Sequence, residues 1–156
     1  MGSPALKLRA AYSYRNDPGV PRFADCSPIL VMDGQCALCT RAARLICTFD
    51  RRSAFKISPA ASPLGRAILT HYGLNSEHPA SWLYLEEGKA YVAMEAVIRV
   101  GVRLGGCCRS VVLIRLLPSG LQDRLYRCLA DNRYRLFGRA DMCAAPDPEL
   151  QRRLLL

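Results

Sequence analysis

ILVMDGQCALC, at residues 29–39, runs from four apolar residues through a turn into a Cys-x-x-Cys pair. Four consecutive apolar residues are typical of a strand buried on both faces, and Asp33-Gly34 supplies the turn that ends it. Apolar residues then recur at helical spacing as far as Phe49. The stretch therefore predicts a strand, a turn and a helix, with Cys36 and Cys39 in the first turn of that helix.

Three further segments have the patterns of strands. Residues 54–58 alternate between apolar and polar types. Residues 82–85 and 90–92 flank a Glu-Glu-Gly-Lys turn that suits an antiparallel hairpin. Together with the strand before the cysteines, these segments predict a sheet of four strands.

Helical patterns occupy most of the remaining chain. Ser62 and Pro63 supply an N-cap and a first-turn proline for a helix that ends near Gly73. Three helical segments follow: residues 95–104, residues 109–117, and a last helix from a Ser119–Gln122 capping box to about Asp131. The order of elements predicts an α/β fold: a thioredoxin-like mixed four-stranded sheet with helices on both faces and extra C-terminal helices.

At 156 residues, with 51% hydrophobic and 22% charged residues, the chain has the composition of one globular domain. We expect a flexible N-terminal extension over residues 1–27, the thioredoxin-like domain over residues 28–146 and a C-terminal tail over residues 147–156. The longest apolar run, residues 111–117, is interrupted by an arginine and is too short to span a bilayer. The extension lacks the apolar core of a secretory signal, so we expect a cytoplasmic protein; an organellar one is the alternative if the basic extension is a transit segment.

The net charge is +9, and 19 of the 22 basic residues are arginines. Nine of these arginines lie within residues 99–139, where the acidic residues are Asp123 and Asp131. Such a cluster suits nucleic acid, an anionic membrane surface or an acidic protein partner. Because clustering alone is weak evidence, we expect a solvated arginine-rich surface and no nucleic-acid partner. A non-catalytic basic interaction domain is an alternative function.

The Cys-x-x-Cys pair carries the clearest chemistry in the sequence. Residues three apart lie on one face of a helix, near enough to form a disulfide. The N-terminus of the helix stabilises a thiolate on Cys36. Cys36 is therefore predicted to be the nucleophile of a thiol-disulfide oxidoreductase, and Cys39 the resolving thiol.

The alternative is a metal site. Cys36 and Cys39 provide two thiolates, and Cys143 is a candidate third ligand for zinc or copper(I). The sequence holds no second Cys-x-x-Cys and no Cys-x-x-His, and the strand-turn-helix context suits redox chemistry better.

Two other residues are candidates near the pair. Asp33, three residues before Cys36, suits a proton relay for Cys39 or a cap on the turn. Pro79 occupies the position before a strand where a thioredoxin fold places its cis-proline loop; an ordinary trans turn proline is the alternative.

Four features occur in order along the chain: Asp33-x-x-Cys36-x-x-Cys39 after an apolar strand, Leu104-Gly105-Gly106, the Leu116-Leu117-Pro118 stop, and Asn132-Arg133-Tyr134-Arg135-Leu136-Phe137-Gly138-Arg139 with Asp141 and Cys143. Together they resemble the DCC family, which is named for its Asp-Cys-Cys motif. The resemblance covers about residues 28–146. It implies a thioredoxin-like fold and thiol-disulfide oxidoreductase activity.

The resemblance also implies functional positions. The family's motif assigns function to Asp33, Cys36 and Cys39, while Arg133, Tyr134, Arg135 and Arg139 match its C-terminal signature without an assigned role. The expected reaction needs no bound cofactor, only an external thiol or thioredoxin-type electron donor. Its expected substrate is a protein or small-molecule disulfide. The chain departs from the family pattern at Met94-Glu95 and at Cys107-Cys108, and its oligomeric state stays open.

Overall fold

The computed structural model describes residues 6–7, 9–76, 81–144 and 147–155. The strands are β1 (Ile29–Met32), β2 (Lys56–Pro59), β3 (Leu83–Glu86) and β4 (Lys89–Val92). The helices are α1 (Ala37–Phe49), α2 (Pro63–His71), α3 (Ala93–Leu104), α4 (Ser119–Phe137) and α5 (Pro148–Arg153). Two 3-10 helices cover Ser13–Asn16 and Gly106–Leu116. Among the described residues, no helix is both long and apolar enough to cross a membrane.

The four strands form one mixed sheet in the order β2-β1-β3-β4. β1 pairs in parallel with β2, with Ile29 opposite Lys56, and antiparallel with β3. β3 and β4 form the antiparallel hairpin that the sequence predicts. The α/β class and the thioredoxin-like sheet are therefore confirmed.

Helices cover both faces of the sheet, so the strand β1 is buried on both sides. Leu30 and Met32 face one core cluster, which includes residues of α1 and α3. Ile29 and Val31 face a second cluster, which includes residues of α2. The alternation of side chains along a strand explains why four consecutive apolar residues are needed here. This burial of β1 places the turn at Asp33, and with it the two cysteines, at the end of a rigid central strand.

Described residues of both the N-terminal and the C-terminal segment pack against the sheet. In the predicted N-terminal extension, Tyr14 is 3% exposed and packs in the cluster around α2. In the predicted tail, the N–H of Leu155 donates to the carbonyl of Ile57 at 2.8 Å, and Leu150 is buried in the cluster around α1. The described parts of both segments thus contribute to the core. The domain boundaries themselves stay a prediction.

An ion pair fixes α5 to the end of α1. The guanidinium of Arg153 donates to the Asp50 carboxylate at 2.6 Å, and their side chains are 5% and 7% exposed. The same carboxylate accepts the N–H of Phe55 at 2.9 Å, and Arg153 also donates to the carbonyl of Asp50 at 3.2 Å. The charge of Asp50 is thus buried and compensated by partners on both sides.

The C-terminal helices differ from the prediction in two respects. The predicted segment 109–117 is a 3-10 helix as far as Leu116, and α4 continues six residues beyond Asp131, to Phe137. The predicted Ser119–Gln122 capping box is wrong, because Pro118 is the N-cap and its carbonyl accepts the N–H of Gln122 at 3.1 Å. Ser119 is therefore inside the helix, and the Gln122 amide donates instead to the carbonyl of Leu117 at 2.8 Å.

Candidate active site

The two cysteines of the motif lie at the N-terminus of α1. Cys36 is the N-cap residue, and its carbonyl accepts the N–H of Thr40 at 2.9 Å. Cys39 is one turn further along α1, close to Cys36. Both are free thiols, 0% and 3% exposed. The predicted pair is therefore assembled and sheltered from solvent.

The chain after α4 covers Cys36. Residues 138–142 pair with residues 34–37 through three backbone hydrogen bonds of 2.8–3.3 Å, and Arg139 forms an antiparallel bridge with Cys36. Met142, in the same segment, is fully buried in the core around the cysteines. The C-terminal signature thus touches the cysteine motif through its backbone.

Asp33 joins the two motifs through side chains. Its carboxylate accepts hydrogen bonds from the Tyr134 hydroxyl and, at 3.1 Å, from the Arg133 guanidinium. Its other oxygen accepts the N–H of Gln35 at 2.9 Å, which fixes the turn before Cys36. Burial and the Asp33 carboxylate raise the pKa of Tyr134, so its hydroxyl stays protonated and donates. Asp33 therefore fixes the turn before Cys36 and also binds α4, the helix that carries Arg133 and Tyr134.

Cys39 lies against aromatic side chains. The Trp82 indole N–H donates to the Cys39 sulfur at 3.4 Å, and the Trp82 backbone N–H donates to the Tyr126 hydroxyl at 3.1 Å. Burial raises the pKa of the Cys39 thiol to about 12, although the indole N–H acts in the opposite direction. Negative charge on Cys36 or Asp33 adds to the increase. Cys39 therefore stays protonated at neutral pH.

The other predicted residues are placed in different ways. The guanidinium of Arg139 lies 5.1 Å from the centroid of the Tyr134 ring, next to the site. Arg135 is exposed on α4. Pro79 lies outside the described residues.

The structure does not bring the candidate metal ligands together. Cys143 is exposed and lines a cleft with Gly34 and Gln35, whereas Cys36 and Cys39 are buried in the core. In the part of the chain that the structure describes, no three His, Cys, Asp or Glu side chains are grouped to hold a metal ion. The set Cys36, Cys39 and Cys143 is therefore not preformed.

Trp82 and Tyr126 are the site residues that the sequence did not reveal. Trp82 is the single tryptophan of the chain, and its position just before β3 identifies only a strand. Tyr126 lies in α4 among residues patterned as a surface helix. The available signal was the residue type, since tryptophan and tyrosine combine a large apolar ring with a polar group and are enriched at interfaces.

The rate at which Cys39 is alkylated is expected to keep rising with pH up to pH 10. Because only the thiolate reacts with iodoacetamide, a pKa raised to about 12 makes alkylation of Cys39 rise about tenfold per pH unit from pH 7 to pH 10. Free cysteine, with a pKa of about 8.5, levels off within that range. Mass-spectrometric peptide mapping measures Cys39 alone, with free cysteine in the same solution as control. A rate for Cys39 that levels off near pH 9 would contradict the buried, protonated thiol.

The chain is similar to one family of known proteins and to two individual relatives. The family model of the DCC1-like thiol-disulfide oxidoreductases matches residues 30–139, which include both motifs. The uncharacterized protein YuxK of Bacillus subtilis (strain 168) is 32% identical over 127 residues, 81% of this chain and 93% of that protein. A chloroplastic DCC family protein of Arabidopsis thaliana is 28% identical over 120 residues, 76% of this chain and 70% of that protein. No solved structure matches the chain. Since the family model spans more than half of the chain, this protein belongs to the DCC1-like thiol-disulfide oxidoreductase family.

Proposed function

We propose that this protein is a thiol-disulfide oxidoreductase that works through Cys36 and Cys39. The observation that carries the proposal is the pair itself: two free, neighbouring thiols at the N-terminus of a helix that follows a buried central strand. A helix N-terminus favours negative charge, so Cys36 suits the nucleophile. The family to which the chain belongs supports a redox role.

The reaction has two exchange steps. The Cys36 thiolate attacks one sulfur of a substrate disulfide; the substrate S–S bond breaks, a mixed disulfide forms, and the released thiolate takes a proton. Cys39 then loses its proton and attacks the Cys36 sulfur, which releases the second substrate thiol. Two electrons pass to the substrate, and the protein is left with a Cys36–Cys39 disulfide. An external thiol or a thioredoxin-type donor returns the pair to the dithiol.

Asp33 suits the proton transfer in the second step. Its carboxylate and Cys39 both line one cavity, and the bonds from Arg133 and Tyr134 hold the carboxylate in place. This step requires a general base, because the Cys39 thiol has a raised pKa. We propose that Asp33 receives the Cys39 proton when the mixed disulfide is resolved.

Cys36 is fully buried, so a substrate disulfide reaches its sulfur only after a local movement. We propose that this movement opens the three backbone hydrogen bonds between residues 138–142 and 34–37. Opening of a short edge segment of this kind is a local event and leaves the sheet intact. In a reducing compartment such as the cytoplasm, the protein then acts as a reductase.

A redox titration tests the proposal. Metal-free protein is equilibrated in graded glutathione buffers, thiols are trapped, and the mass shift of the peptide with Cys36 and Cys39 is read. We expect one reversible two-electron transition between about −120 and −270 mV, the range of known oxidoreductases. If the pair never forms a disulfide and the purified protein carries stoichiometric zinc or copper, the disulfide-exchange proposal fails. Metal binding is then the function of the pair.

A further inference from the structure

A cavity of about 170 Å³ opens beside the redox pair, on the side of Cys39. Its walls are mainly apolar and come from α1, α3, α4 and the residue before β3: Leu38, Ala42, Trp82, Val97, Tyr126 and Leu129. Cys39 lines the cavity, and Cys36 does not. A group bound in the cavity therefore lies next to the pair.

Two polar residues of the cavity wall, Trp82 and Asp33, already have hydrogen-bond partners within the protein. The Trp82 indole N–H donates to the Cys39 sulfur, and Asp33 accepts from Arg133 and Tyr134. A charged or strongly polar ligand would find no free partner among these groups and would lose its hydration on entry. The cavity therefore suits an apolar group.

The size of the cavity sets the size of that group. An engineered protein cavity of about 150 Å³ holds one benzene molecule, so 170 Å³ accommodates one side chain such as leucine or phenylalanine. A whole lipid acyl chain is too large for this volume. One side chain of a polypeptide is the occupant that fits.

An exposed apolar stripe continues from the cavity along α4. Leu121, Leu125 and Leu129 follow one another at intervals of four residues, on one face of the helix, and each is between 42% and 50% exposed. Leu129 also lines the cavity, so the stripe and the cavity are continuous. An extended chain lying along the stripe places one side chain in the cavity and others on the leucines.

The charge of α4 indicates which charge the bound polypeptide carries. The helix carries four arginines against Asp123 and Asp131, and Arg124, Arg127 and Arg135 are exposed. Opposite charges steer association and favour complementary partners. A polypeptide with acidic residues near its apolar one complements this surface.

We propose that the cavity binds the apolar side chain beside the cysteine of an acidic polypeptide substrate, and that this contact selects the substrate. The substrate class rests on the proposed disulfide exchange, whereas binding to the cavity does not require it. Burying a leucine side chain instead of an alanine one improves affinity by at least about tenfold. Selection by one side chain is therefore measurable.

Trp82 provides the signal for the test. It is the single tryptophan and lines the cavity, so its fluorescence reports occupancy directly. The probes are two acidic peptides, Glu-Glu-Gly-Leu-Ser-Gly and the same peptide with alanine for leucine, in which serine replaces cysteine to exclude thiol exchange. We expect the leucine peptide to bind at least about tenfold more tightly. Equal affinities, or equally tight binding of N-acetyl-leucinamide alone, would overturn the proposal.

Two variants locate the binding. Ala130→Leu fills the cavity and is expected to abolish the difference between the peptides, whereas Cys128→Leu adds bulk to an exposed position of the same helix and is expected to keep it. Ala42→Leu fills the cavity from α1 if Ala130→Leu does not fold. A difference that survives in a folded cavity-filled variant would contradict the proposal. The redox titration separates the two proposals. If the cysteine pair forms no disulfide there but the protein still prefers the leucine peptide, the exchange reaction is wrong and the ligand class of the cavity is supported.

Discussion

Replacing Cys39 with serine is expected to stop turnover and to trap the substrate as a mixed disulfide on Cys36. The first exchange needs only the Cys36 thiolate, whereas release of the product needs the neighbouring thiol. Cys36→Ser removes the nucleophile itself, so this variant is expected to form no mixed disulfide at Cys39, whose thiol is buried and has a pKa raised to about 12. Both variants should lose at least about a thousandfold in rate, as enzymes do when a nucleophile is removed.

The measurement combines turnover of a model disulfide with peptide mapping of the trapped adduct. Cys26→Ser is the matched control, because Cys26 is an exposed thiol outside the motif, and it should retain activity. An adduct on Cys39 in the Cys36→Ser variant would reverse the assigned roles. Full activity in both motif variants would show that the pair does not carry the reaction.

Arg153→Met is expected to lower the free energy of unfolding by about 3–5 kcal/mol. Removing one partner of a buried ion pair leaves the other charge buried and uncompensated, and this is the usual cost. Here the Asp50 carboxylate loses its 2.6 Å partner while it stays 7% exposed and bound to the N–H of Phe55. Since small domains are stable by about 5–15 kcal/mol, the loss is a large share of the total.

Urea denaturation followed by circular dichroism measures this change. Arg152→Met is the matched control, because the Arg152 side chain is 76% exposed and pairs with the exposed Glu149. It should change stability by less than about 1 kcal/mol. In the double variant Asp50→Asn, Arg153→Met, the uncompensated charge is gone, so part of the stability should return. Equal effects of Arg152→Met and Arg153→Met would contradict the role assigned to the buried pair.

The sheet was predictable from the sequence because its strands carry strong local patterns. The four apolar residues of β1 and the hairpin turn after Glu86 identify their elements directly, and Ser62 caps α2 as predicted by accepting the N–H of Gly65 at 3.0 Å. The start of α4 was not predictable in the same way. Ser119 and Gln122 have the residue types of a capping box, but Pro118 occupies the N-cap and shifts the helix by one residue.

The candidate site was only partly predictable. Cys36, Cys39 and Asp33 are close in sequence, so their proximity follows from the helix and the turn. The contact of Asp33 with Tyr134 spans a separation of 101 residues and depends on how α4 packs, which no local pattern specifies. For the same reason, the sequence indicated neither that residues 138–142 cover Cys36 nor that Trp82 donates to Cys39.

The hydrogen bonds between Asp33 and α4 have a consequence for synthesis of the chain on the ribosome. Asp33 and the cysteines emerge early, but Arg133 and Tyr134, which hold the Asp33 carboxylate, follow 100 and 101 residues later. Contacts of such long sequence separation form late, and domains complete themselves only when the whole chain is available. Until then, the nascent chain presents an unshielded dithiol to cellular oxidants. The finished fold encloses that dithiol with residues 138–142, which are translated long after both cysteines.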